Sequence, residues 1–121
     1  MKRFLIISIS LFFIINTVHG QISVQDLLTE NKINPIGLDA IQPRFSWKLV
    51  GDHRNIFQKA YEIKIKTGTG SIWNSGKVVS DKSVQVSYSG PSLQSGKRYQ
   101  WQVRIWDNTD KVSSWSQTSY F

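Results

Sequence analysis

The chain has 121 residues, with 15 Lys and Arg against 8 Asp and Glu, and no cysteine. One hydrophobic core fits in that length, whereas a barrel enzyme of about 250 residues or a doubly wound two-domain enzyme does not. The absence of cysteine excludes disulfide scaffolds, thiolate zinc sites, iron–sulfur ligation and thiol nucleophiles, and 40% hydrophobic residues with 5 Trp, 4 Tyr and 6 Phe are too apolar for disorder.

Residues 1–20 read as a secretory signal peptide: Lys2 and Arg3, an apolar run from Phe4 to Ile15, then Val18 and Gly20 as small residues before a cleavage point at Gln21. The apolar run is too short for the roughly 20 residues that span a bilayer. The expected product, residues 21–121, is exported to the periplasm or beyond the cell, with no membrane partner after cleavage. A lipid-anchored N-terminus is excluded, since it needs a cysteine. Losing Lys2 and Arg3 leaves 13 basic against 8 acidic residues, a net charge of +5. The lysines are scattered along the chain without a basic run, so neither nucleic acid nor an anionic surface is expected as a partner.

Period-two alternation recurs through the rest of the chain. An opening strand is expected near Val24 to Leu28. The segment Asn34 to Pro43, with Pro35 and Pro43, is expected to cross irregularly to the second strand, where Phe45, Trp47 and Leu49 alternate with Arg44, Ser46 and Lys48. Tyr61, Ile63 and Ile65 alternate with Glu62, Lys64 and Lys66 in the third, and a short strand is expected at Lys77 to Val79. Val84, Val86 and Tyr88 alternate with Gln85 and Ser87. Then Tyr99, Trp101, Val103 and Ile105 alternate with Gln100, Gln102 and Arg104, and a last strand is expected from Ser114 to Tyr120. Turn signals separate these runs, among them Gly68-Thr69-Gly70, Asn74-Ser75-Gly76 and Asp107-Asn108-Thr109-Asp110. About seven short antiparallel strands in about 100 residues predict an all-β sandwich. Tyr99, at the start of the most hydrophobic strand and six residues after Leu93, has the setting of a tyrosine corner. Together with Trp47 as a core residue that needs no disulfide, it favours a fibronectin type III arrangement over an antibody-type domain.

Catalytic groups are sparse. His53 sits between Asp52 and Arg54 in a polar turn, Asp107 and Asp110 suit a hairpin turn, and Glu62 reads as part of a solvated strand face. No catalytic, cofactor-binding or metal-binding residue is assigned, and no cofactor is expected. The functional candidates are Trp73, Trp106, Trp115 and Arg104. Ser113-Ser114-Trp115-Ser116 resembles the Trp-Ser-x-Trp-Ser element of cytokine-receptor sandwiches, in which tryptophans and arginines interleave. A cation–π ladder of Arg104, Trp106 and Trp115 is therefore preferred over a sugar-stacking platform.

A linked series of motifs is more specific. Asn34-Pro35-Ile36-Gly37-Leu38-Asp39, Pro43-Arg44-Phe45-Ser46-Trp47, Gln58-Lys59-Ala60-Tyr61-Glu62-Ile63, Trp73-Asn74-Ser75-Gly76-Lys77-Val78, Tyr99 through Asp107, and Trp115-Ser116 follow one another. In order and spacing they resemble the N-terminal β-sandwich of bacterial α-L-rhamnosidases. The resemblance implies one non-catalytic module of a long enzyme that hydrolyses terminal α-L-rhamnose with inversion. The catalytic carboxylates of that enzyme lie in a separate (α/α)6 barrel, so none is carried over. The chain is accordingly expected to be an isolated or truncated N-terminal module without hydrolase activity, with the parent's remaining domains as partners. A stand-alone carbohydrate-binding module for a rhamnose-containing glycan is the alternative; a protein-adhesion sandwich fits the fold but not the motif series.

Overall fold

The computed structural model describes residues 22–38, 41–51, 54–68 and 70–121. The expected signal peptide, residues 1–20, and His53 lie outside these residues. Eight strands form two antiparallel sheets: β1 (Ser23–Thr29), β2 (Arg44–Val50), β3 (Gln58–Thr67), β4 (Gly70–Asn74), β5 (Val78–Val79), β6 (Val86–Ser87), β7 (Gln100–Asp107) and β8 (Ser119–Tyr120). One sheet has the order β1-β2-β6, and the other β4-β3-β7-β8 with β5 on the same edge of β3 as β4. The all-β immunoglobulin-like sandwich expected from the alternation is present.

β3 and β7 are the spine of the larger sheet, paired from Gln58↔Asp107 to Lys66↔Gln100. Period-two alternation sends Ile63, Ile65, Trp101, Val103 and Ile105 inward, where each is essentially sealed from water, against Phe45 and Trp47 of the facing sheet. Phe45 and Trp101 meet across the sandwich with ring centroids 4.5 Å apart. Both buried indoles satisfy their N–H groups, Trp101 donating to Thr29 Oγ1 at 3.1 Å and Trp47 to Gln58 Oε1 at 2.9 Å. Without those partners each buried donor costs about 1–3 kcal/mol.

Tyr99 packs its ring into the core, and its hydroxyl accepts the backbone N–H of Gln94 at 2.8 Å. This is the corner expected from its position, with Leu93 packed on the same core. Gly90 is required by close approach: a Cβ there would lie 2.6 Å from Cγ of Trp73 and 2.5 Å from the Tyr88 hydroxyl. The edge-on pair of Trp73 and Tyr88, with centroids 5.0 Å apart, therefore closes over a residue that must lack a side chain.

Three local readings are corrected. Gly70 to Asn74, bounded by two turn signals, is a strand on the edge of β3. Val84 is 59% exposed instead of sharing the inner face of Val86 and Tyr88. The left-handed backbone of Gln85 (φ 57°) interrupts the alternation there, and its N–H donates to Ser46 Oγ. The segment expected as a strand from Ser114 to Tyr120 pairs regularly with β7 only at Ser119 and Tyr120. Leading into that pairing, burial recurs at every third residue, on Ser113, Ser116 and Ser119. A burial repeat of three is not that of a regular strand, whose period is two. The serines complete the ladder themselves: Ile105 N–H donates to Ser113 Oγ and Val103 N–H to Ser116 Oγ, both at 3.0 Å. Their own N–H groups donate back to the carbonyls of the same two residues.

Candidate functional site

The outward side of β7 carries Gln102, Arg104 and Trp106, and the serine path beside it delivers Trp115 onto the same surface. The Arg104 guanidinium lies 4.6 Å from the centre of the Trp115 ring and 5.3 Å from that of Trp106. Two lysines extend the stack: Lys64 Nζ sits 3.9 Å from the Trp115 ring and Lys77 Nζ 4.9 Å from the Trp106 ring. The order is thus Lys64, Trp115, Arg104, Trp106, Lys77, with cations and indoles alternating. Electrostatic attraction between each cation and the ring quadrupole gives contacts worth about 0.5–1 kcal/mol each at exposed positions.

Glu62 anchors the middle of this stack. Directly opposite Arg104 in the β3–β7 register, it accepts a 2.6 Å hydrogen bond from Arg104 Nε and is buried. The solvated role expected for Glu62 is therefore corrected: outward parity places it on the wet side of the sheet, but the ladder covers it. Trp73 does not join. Its register opposite Ile65 turns it toward the interior, against Tyr88. Arg104, Trp106 and Trp115 come together; Lys64 and Lys77 are the members that the sequence reading did not single out.

A second surface lies at one end of the sandwich. A groove of about 440 Å³ opens between residues 34–38 with Ile41 and the loop before Tyr99, with Pro35, Leu93, Tyr99 and Phe121 among its walls. Ile36 (94% exposed) and Ile41 (74%) stand among its lining residues. Lys97 and Arg98 form a basic rim, and Arg98 lies over the Tyr120 ring at 4.5 Å.

The remaining described carboxylates are engaged locally, apart from Asp81. Burial works to raise the Asp107 carboxyl, but hydrogen bonds from the Thr109 hydroxyl and the Thr109 and Lys111 amides outweigh it and leave its pKa below the ordinary value. Asp110 is lowered by the Lys59 ammonium, which donates to it at 2.8 Å. Glu30 is lowered by its hydrogen bonds with Arg44. Asp107 and Asp110 serve a turn, in which Asp110 takes φ 63°. Among the described residues no group of three or more His, Cys, Asp or Glu is placed to hold a metal ion.

Comparison with known proteins joins this geometry to a family. Residues 24–121 match the model described as the Rha78A-like, N-terminal immunoglobulin domain. The chain belongs to that family. An α-L-rhamnosidase of Streptomyces avermitilis is 41% identical over 92 residues, which are 72% of this chain and 9% of that protein. One from Formosa agariphila is 36% identical over 102 residues, 78% of this chain and 11% of that protein. The crystal structure of the Streptomyces avermitilis enzyme complexed with L-rhamnose superposes with a TM-score of 0.79 at 38% identity, covering 82% of this chain and 10% of that one. The Dictyoglomus thermophilum α-L-rhamnosidase superposes with a TM-score of 0.78 at 37% identity, covering 82% and 12%. The chain therefore spans about a tenth of the length of these relatives. As a member of the rhamnosidase N-terminal domain family, it has its cation–indole ladder on one sheet face and its apolar groove at one end.

Proposed function

We propose that this domain is a non-catalytic module of an exported α-L-rhamnosidase, and that it positions and stabilises the catalytic part of that enzyme through its apolar end. The observation that carries the proposal is the proportion of the matches: 82% of this chain falls on 10% of a rhamnosidase. In this reading, inverting hydrolysis of terminal α-L-rhamnose belongs to carboxylates in a separate barrel. The local engagement of Glu30, Glu62, Asp107 and Asp110 supports it, because none of these is left as a free acid and base pair. Ile36 and Ile41, exposed at the end groove, supply the apolar patch that a docked neighbouring domain would cover. Export rests on the basic and apolar pattern of residues 1–20.

A neutral-sugar platform is less well supported. Stacking on a sugar needs open indole faces, and Trp106 and Trp115 each meet two cations. The decisive assay is release of nitrophenol from nitrophenyl α-L-rhamnoside by the purified chain. No release above a boiled control is expected, and turnover that follows the chain through purification would reject the proposal.

A further inference from the structure

Basic residues scattered through the sequence converge on one surface of the fold. The outward face of the larger sheet carries Lys64 and Lys66 on β3, Arg104 on β7, Lys77 over Trp106 and Arg98 over Tyr120. Glu62 is the carboxylate among them. Among the described residues, five cations against one carboxylate give this face a charge of +4. At its edge, Lys59 and Asp110 neutralise each other. The opposite sheet differs, since its Arg44 and Lys48 are matched by Glu30 and Asp26.

The ladder also decides which ligands suit the surface. Cations on Trp106 and Trp115 occupy ring faces that a neutral sugar or an unstacked nucleic-acid base would need. What remains on offer is a fixed array of positive charge. Lys64 and Lys66 are spaced about 6–7 Å along their strand, and the next strand lies about 5 Å away. Cations held on aromatic faces and by a buried carboxylate lose less side-chain freedom on meeting an anion than free lysines do.

We propose that this face binds polyanionic glycan, a polysaccharide bearing carboxylate or sulfate groups, and so holds charged substrate near the enzyme that the domain serves. The choice of glycan over other polyanions rests on the rhamnosidase-module reading above. The test is titration calorimetry of the chain with polygalacturonate and with dextran sulfate, with neutral dextran as reference. Binding to one or both polyanions is expected, none to neutral dextran, and a loss of about tenfold or more as salt rises from roughly 50 to 200 mM. The triple variant Lys64→Gln, Lys66→Gln, Lys77→Gln should bind at least about tenfold more weakly. The equal-charge variant Lys32→Gln, Lys48→Gln, Lys82→Gln, drawn from elsewhere on the surface, should bind within about twofold of the parent. Lys66→Glu, which leaves the ladder intact, should weaken binding without moving Tm and keeps the test open if the triple variant misfolds.

Equal loss in both triple variants would reduce the effect to net charge and overturn the proposal. So would absence of polyanion binding at low salt, or tighter binding to duplex DNA than to either polysaccharide. Each of these results leaves the nitrophenyl rhamnoside assay untouched, so failure here is distinct from failure of the module reading.

Discussion

The two faces of β7 solve opposite problems with the same residue type. Trp101 on the inner face is 1% exposed, packed on Phe45 and hydrogen-bonded to Thr29. Trp106, five residues along on the outer face, lies between Arg104 and Lys77. Inside, stability comes from apolar area removed from water, and a missing group leaves a cavity that the surroundings fill only in part. Outside, stability comes from cation–ring contacts that solvent weakens and side-chain motion accommodates. A tryptophan on this strand therefore carries no fixed energetic meaning until its parity is known.

Substitutions should separate the two regimes. Trp101→Ala is expected to cost about 3–5 kcal/mol, enough to unfold much of a small domain in the absence of denaturant. A loss under about 1 kcal/mol in urea melts would contradict the cavity argument. Ser116→Ala strands the buried N–H of Val103 and should cost about 1–3 kcal/mol, while Ser114→Ala, on an exposed position between the two buried serines, should cost less than about 0.5 kcal/mol. Trp115→Ala removes two cation–ring contacts and should cost about 1–2 kcal/mol. A double-mutant cycle with Arg104→Gln should show the two residues coupled; strict additivity would dissolve the ladder as a unit.

The turn beyond β7 adds a pH signature to the comparison. Because the folded pKa of Asp107 lies below its unfolded value, its contribution is full above the unfolded pKa near 4 and is lost as pH falls through the folded one. Asp107→Asn should therefore destabilise the domain at neutral pH by an amount that shrinks below about pH 4, measured as the difference in urea midpoint between variant and parent. The smallest effect is expected at the end groove. Ile36→Asp with Ile41→Asp should shift stability by less than about 0.5 kcal/mol, since neither side chain is buried within the domain. A larger loss would make that patch part of the core instead of a free surface.

Parity explains why much of the fold was readable from the chain. Alternation along β2, β3 and β7 placed Phe45, Trp47, Ile63, Ile65, Trp101, Val103 and Ile105 correctly, and Tyr99 announced its corner by position. The signal failed where period two is not the operating geometry. Gln85 breaks it with one left-handed residue and sends Val84 into solvent. The 113–119 segment replaces it with a repeat of three, built from serines that carry no hydrophobic pattern. β4 is short and bounded by turn residues on both sides. Within the site, Arg104, Trp106 and Trp115 are close enough in sequence to be considered together. Lys64 reaches Trp115 across a register that no local pattern encodes, and Lys77 reaches Trp106 from the β4–β5 bend. The scattered lysines that argued against a charged surface in one dimension form one in three.

The hydrogen bond from Trp101 to Thr29 joins residues 72 apart, and Ser119 reaches Asn34 across 85. Contacts of this range set a timetable. During synthesis from the N-terminus, Phe45 and Trp47 are made well before Trp101 or Phe121 exists to cover them. At about 5–20 residues per second, the interval between residues 45 and 121 is on the order of 4–15 s. Through that interval the β1–β2 hairpin presents an uncovered aromatic face, and folding of such long-range β topology then adds its own milliseconds to seconds. The nascent chain is thus most prone to aggregation while β1 and β2 are made and β7 and β8, which cover their aromatic face, are not.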